Sequence, residues 1–357
     1  LNTYNLDPLI DDPSEHFETF IYTGDGNSNK TVSGLSFNPD FIWNKSRSVG
    51  LYHRLFDYVR GFSNALYSSI GEAENYHTDY GYVTSTSNTG FNVGQGTNSN
   101  NYINQLNASL VSWVWDAGSS TVSGTGSLTS SVRANPTAGF SIISYTGGGS
   151  SGDDMSHGLN EAPAFAIFKK RNTDGKDFYV YHRDFTDRRQ CLYLNSSGGI
   201  DNAVSGGNSW ATMDSSTIEF SHHHGDVNGS GDPFICYAWQ EVPAYSKFGM
   251  YVGNNADNFI NLGFRARWVM TKSSSNNYTH WNIVDTARNP YNRATEVLHA
   301  NLTDDTLEPP GNNFTGFDIC SNGITLKTDT NGQHNYNNVT FIYAAFAEAP
   351  FRYSNAR

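Results

Sequence analysis

The chain has only three cysteines, Cys191, Cys236 and Cys320, in 357 residues. They are odd in number and scattered, which excludes a disulfide framework and the paired spacing of a zinc site. They read as small buried hydrophobes. Charged residues are scarce at 16%, low for a helical protein. Basic residues are fewer still: 22 Lys and Arg stand against 34 Asp and Glu, a formal net charge of −12. That balance argues against nucleic acid or an anionic membrane as the main partner. No apolar run approaches the roughly 18 residues of a membrane helix, so no membrane insertion is expected. Neither a His-Glu-x-x-His helix nor a phosphate loop is found. The residues therefore point away from an enzyme, although a glycosidase carboxylate pair can lie far apart in sequence.

Aromatic residues are plentiful at 14%. Gly, Ser, Thr and Asn fill much of the remainder, a mixture that favours strands and turns over helices. Four landmarks recur in one order three times. A strand ends in Tyr and a Gly-rich turn at Tyr22-Thr23-Gly24, Tyr145-Thr146-Gly147 and Tyr251-Val252-Gly253. An apolar strand then leaves through a lysine, six places after Pro39, Pro163 and Ala266. Lys45, Lys169 and Lys272 are expected to mark exits to water. Short strands follow at Gly90–Val93, Thr217–Phe220 and Gly323–Leu326, and aromatic strands close at Val111–Trp115, Ile235–Trp239 and Ile342–Phe346. The opening tyrosines lie 123 and 106 residues apart, the size of a small domain rather than a solenoid repeat.

The expected fold is all-β: three tandem divergent β-sandwich-like repeats of about 100 residues each, packed together. Residues 1–16 form a polar leader or linker, 17–118 the first repeat and 119–138 a Ser/Thr/Gly-rich linker. Residues 139–245 form the second repeat, 246–350 the third and 351–357 a tail. Within the linker, Leu128 and Val132 also fit a short strand.

Asp57 and Arg60 share their spacing with Asp285 and Arg288, and are read as structural ion pairs across a turn. Asp226, Asn228, Ser230 and Asp232 alternate as in a calcium loop, but Tyr237 stands where the bidentate Glu belongs. A plain turn is the better reading, with Ca2+ the weaker alternative; otherwise no cofactor or metal is expected. Three consecutive histidines, His222 to His224, alternate faces on a strand and do not make one metal site. Aromatic residues in polar loops are candidate binding groups: Tyr76, Tyr80, Tyr82, Trp210, Trp281 and Tyr291. Trp43, Trp113, Trp115, Trp239 and Trp268 lie in apolar strands and belong to the core.

The first copy, YTGDG … GLSFNPDFIWNKSRS … HRLFDYVRG, resembles a repeat-containing domain of unknown function (DUF7483-like) of tailed-bacteriophage virion proteins, from marine and cyanobacterial phages. GFSIISYTGGG … EAPAFAIFKKR and GFRARWVMTK … FIYAAFAEAPF fit the same family. The resemblance implies a non-enzymatic virion structural protein, a tail fibre or surface appendage with adhesion to a host-surface glycan. A capsid decoration protein and a polysaccharide-degrading tailspike are the alternatives. Its implied partners are other virion proteins and copies of itself, with a homo-oligomer such as a trimer expected by analogy. It would be assembled in the host cytoplasm and reside on the particle surface or tail. Relatives often carry the domain behind a fibre segment, so a preceding portion is expected.

Overall fold

The computed structural model describes residues 8–74, 78–98, 102–202, 211–221, 224–277, 279–304, 315–329 and 332–350. Nearly all of its regular structure is antiparallel strand. The first stretch forms a four-stranded sheet in the order Phe17–Thr23, Ser109–Trp115, Phe41–Ser46, Arg54–Asp57. The closing strand thus lies between the opening strand and the Lys-bearing strand. The second stretch repeats this wiring with Phe140–Thr146, Pro233–Trp239, Phe165–Lys170, Phe178–His182 and Leu192–Tyr193. The third does so with Ser246–Val252, Thr340–Pro350, Phe264–Ser273, Asn282–Asp285 and Leu298–His299. The register agrees as well: Phe41 faces Trp115, Phe165 faces Trp239, and Trp268 faces Phe346.

Each large sheet is covered by a three-stranded sheet. These are Lys30–Ser33, Gly90–Gly94 and Tyr82–Ser87 in the first stretch, and Asp153–Ser156, Thr217–Phe220 and Thr212–Met213 in the second. Asn258–Asn261, Gly323–Leu326 and Phe317–Cys320 make the third. Between the paired sheets lie local cores, such as Ile42 and Val114 against Phe91 and Val93. The opposite faces of the large sheets converge on one common core. It joins Phe41, Trp43, Trp113 and Trp115 to Phe165 and Trp239 and to Trp268 and Phe346. Trp115 lies 6.1 Å from Trp239 and 5.9 Å from Trp268, both edge-on. The gap left at the centre is about 10 Å3, at the lower limit of what one water needs.

Burial on both faces explains why these strands read as continuous apolar runs rather than alternating ones. Every residue of Phe41–Ser46 is buried. It also corrects one expectation: Lys45, Lys169 and Lys272 do not exit to water but are wholly buried. A sheet with both faces covered gives a strand-end lysine no route to solvent.

The Ser/Thr/Gly-rich linker is likewise corrected. Residues 119–138 contain the strands Thr121–Ser123 and Ser130–Asn135, which extend the second large sheet beside Phe140–Thr146. Leu128 and Val132 supply the buried side chains that anchor them. Arg133 crosses to the first stretch, where its Nε donates to Asp40 at 2.8 Å and its guanidinium lies over the Tyr58 ring.

Because the centre is shared, Trp115→Ala should destabilise the whole chain, by about 3–5 kcal/mol. Urea unfolding followed by tryptophan fluorescence should show one transition shifted to lower urea. Separate transitions for the three stretches would contradict a common core.

Candidate functional site

Three sheets meeting at one centre create three seams, and the polar groups at the seams need partners that water cannot supply. The three lysines fill part of this need cyclically. Each donates to the carbonyl of the next residue and to a loop carbonyl of a neighbouring stretch. Lys45 Nζ reaches Ser46 O (2.7 Å) and Thr303 O (3.2 Å). Lys169 reaches Lys170 O (2.8 Å) and Gly71 O (3.5 Å). Lys272 reaches Ser273 O (3.2 Å) and Ser197 O (3.3 Å). First thus touches third, second touches first, and third touches second. Burial lowers the Lys169 ammonium to about 8 and that of Lys272 to about 7.

Two seams carry an ion-pair clamp as well. Between the second and first stretches, Arg60 Nε binds Asp57 Oδ2 at 2.5 Å, and the Tyr237 hydroxyl donates to the same carboxylate at 2.7 Å. Arg60 also donates to Glu74 at 2.9 Å, and Arg171 grips both Glu74 oxygens at 2.8 Å. Burial works to raise the Glu74 carboxyl, but the Arg171 hydrogen bonds and both arginine charges hold it below its ordinary value. Between the first and third stretches, Arg288 Nε binds Asp285 Oδ2 at 2.6 Å and Trp113 Nε1 donates to it at 3.0 Å. There Arg47 pairs with Glu296 at 3.0 Å. The sequence motif Asp-x-x-Arg therefore sits at seams, which its spacing alone does not reveal.

The seam between the third and second stretches is built from other residues. His182 occupies the register position of Asp57 and Asp285, opposite Phe165. Phe185 follows three residues later, where the other copies have arginine. Ala344 takes the place of Trp113 and Tyr237, and Ser274 that of Arg47 and Arg171. Ile200 donates its N–H to Ser274 O at 2.8 Å, as Glu74 does to Arg171 O at 2.7 Å. Burial, helped by the nearby Arg183 charge, lowers His182 to about 3, so its ring is neutral at pH 7.

The calcium-like loop has a different task. Asn228 is fully buried, and its Oδ1 accepts from Gly148 N at 3.0 Å. Asn104 serves Asp25 N in the same way, and Asn335 serves Asn254 N. The opening tyrosines complete the device by donating to Ile103 O, Val227 O and His334 O. Gly24, Gly147 and Gly253 press so closely on these loops that a Cβ would lie 2.0–2.3 Å from a backbone oxygen. Asp226 holds Lys176 at 2.8 Å, and Asp232 holds Lys170 at 2.6 Å. The loop oxygens thus serve separate partners, and Asn228 belongs to a structural lock, so the calcium reading loses its geometric support. Ser230 packs against Gly149.

Among the aromatic candidates, Trp281 is corrected: it is 1% exposed, sits in the central core, and donates its indole N–H to Tyr193 O at 2.9 Å. A Trp flanked by polar residues in sequence was carried inward because it opens the strand Asn282–Asp285. Tyr80 and Tyr82 are half-buried against the first local core, and Tyr80 O accepts from Arg54 at 3.1 Å. Tyr291 is 83% exposed. Tyr76, Trp210, His222 and His223 lie outside the described residues. Gly148–Gly152 spells Gly-x-Ser-x-Gly, against the expectation that the chain holds no such pattern. It forms the turn between Phe140–Thr146 and Asp153–Ser156, not a strand-to-helix elbow. Among the described residues no cluster of three or more His, Cys, Asp or Glu could hold a metal ion, and no helix is long and apolar enough to cross a membrane.

Removing one member of a clamp leaves the other charge buried. Arg60→Ala should cost about 3–5 kcal/mol in urea unfolding, whereas exposed Arg189→Ala should leave the urea midpoint where it is. Lys272 predicts a pH dependence. Its folded value near 7 lies below the unfolded one, so between pH 7 and 9 the unfolded chain binds more protons and this lysine's cost falls as pH rises. The stability of the wild type relative to Lys272→Met should therefore increase from pH 7 to pH 9. A flat difference would mean that the ammonium is not desolvated.

No curated protein and no solved structure matches the chain. A family model described as "Domain of unknown function (DUF7483)" matches residues 12–350, an interval that takes in all three large sheets, their covers and both clamps, and the chain therefore belongs to that family.

Proposed function

We propose that this chain is a non-enzymatic structural protein of a tailed-bacteriophage particle, part of a tail fibre or surface appendage, that adheres to a host-surface glycan. The observation that carries the non-enzymatic part is the use made of its strongest ionic chemistry. Arg60, Asp57, Arg288 and Asp285 are buried between stretches and hold one another. A general acid or base must reach a substrate proton, and these groups reach only the seams. The adhesive part rests on loops rich in Asn, Ser, Gly and Tyr, in which Tyr291 is the most exposed aromatic among the described residues. The phage assignment rests on the sequence resemblance.

Purified chain mixed with polysaccharide from candidate host envelopes should co-sediment with it and release no new reducing ends. Reducing ends that appear in proportion to protein would replace adhesion by hydrolysis. Antibody labelling of particles should decorate tails, and labelling over the capsid lattice would favour the decoration role.

A further inference from the structure

Five positions that fill the second–first seam are replaced together at the third–second seam. Arg171, Glu74, Arg60, Asp57 and Tyr237 correspond there to Ser274, Ile200, Phe185, His182 and Ala344. Four of the five exchanges remove a charge and the fifth, at Ala344, removes a phenol; at Ser274 and Ala344 most of a side chain is gone. A cavity of about 390 Å3 opens between the second and third stretches, lined by Phe185, Ile200, Met250, Gln190, Asn202 and Ser274 among others. A second, of about 210 Å3, lies on the other side of the same loop and shares Phe185 and Gln190 with it.

We infer that this seam cavity is a binding site for an uncharged saccharide of one or two rings. The proposal deepens the adhesive reading and rests on it for the ligand's class. The size lies within the roughly 300–1,000 Å3 of small-molecule sites. The chemistry fits a sugar, which offers C–H faces on one side and hydroxyls around its edge. Phe185, Ile200 and Met250 are half-buried and give the apolar floor. The amides of Gln190 and Asn202, which bond each other at 3.1 Å, and the Ser274 hydroxyl, which donates to Thr340 O at 3.1 Å, line its edge, and amides and hydroxyls both donate and accept. Among the described residues that line the larger cavity Asp184 is the one ionisable group, and the Arg183 guanidinium lies 3.9 Å from it. None of the described residues that line this cavity is cationic, and a phosphorylated or sialylated glycan requires a cationic clamp. The floor stays rigid because Lys272, Ile200 and Trp281 keep the backbone of this seam joined to the second stretch.

The test is an array of neutral and anionic oligosaccharides probed with labelled full chain and variants. Wild type should bind neutral spots. Ser274→Arg, which restores the arginine of the other seams, and Phe185→Ala should each lower that binding by about tenfold or more. Gln190→Ala, at a half-exposed position, gives the same readout should a core variant unfold, and melting curves identify such a variant. Phe259→Ala, at an exposed aromatic of the strand Asn258–Asn261 with no assigned role, should bind as the wild type does. Binding that survives Ser274→Arg, Phe185→Ala and Gln190→Ala but is lost in Tyr291→Ala would overturn the cavity while leaving adhesion standing. Binding confined to anionic spots would overturn the saccharide class proposed. No binding to any spot would overturn the cavity and the adhesive reading together.

Discussion

The structure depends on three large sheets turning one face each toward a single aromatic centre. Trp115, Trp239, Trp268 and Phe346 fill that centre from all three stretches. Once both faces of a sheet are covered, its strand ends lie in a dry interior and their polar groups must be satisfied internally. The cyclic lysines and the two arginine clamps answer that constraint. Their gain over an apolar filling is modest because desolvation offsets most of the attraction. Their directionality is what an apolar contact lacks, and we read them as fixing which sheet edge meets which.

The clamps also show why the seams are not equal. Where Asp57 and Arg60 meet Tyr237, or Asp285 and Arg288 meet Trp113, each buried charge has a partner. Where His182, Phe185 and Ala344 stand instead, loss of the buried charges removes both the cost of desolvation and the side-chain volume that accompanied it. The lysine contact and the backbone hydrogen bonds remain, so the seam stays joined while a cavity opens beside it.

A smaller device ties each opening strand to its own small sheet. A tyrosine hydroxyl, a glycine without room for a Cβ and a buried asparagine amide lock the turn against a loop about eighty residues later. This lock accounts for the Tyr-x-Gly signature. It also explains why a calcium-like spelling arose around Asn228: the Asn is required by the lock, and acidic neighbours such as Asp226 and Asp232 pair with lysines beside it.

The all-β class, the order of landmarks and the burial of Trp43, Trp113, Trp115, Trp239 and Trp268 were legible in the sequence, because hydrophobic runs and turn residues report local structure directly. So was the local pairing of Asp57 with Arg60 and of Asp285 with Arg288, three residues apart. The destination of Lys45, Lys169 and Lys272 was not. Whether a lysine at a strand end meets water depends on what covers the sheet, and the cover comes from a stretch more than a hundred residues away. Trp281 was misread for the same reason: polar neighbours in sequence say nothing of a core assembled by three separate sheets. Composition and periodicity determined the strands and the faces they bury. Tertiary structure alone decided which seams carry an ion-pair clamp and which one does not, because a seam is set by pairs of side chains that share no local sequence.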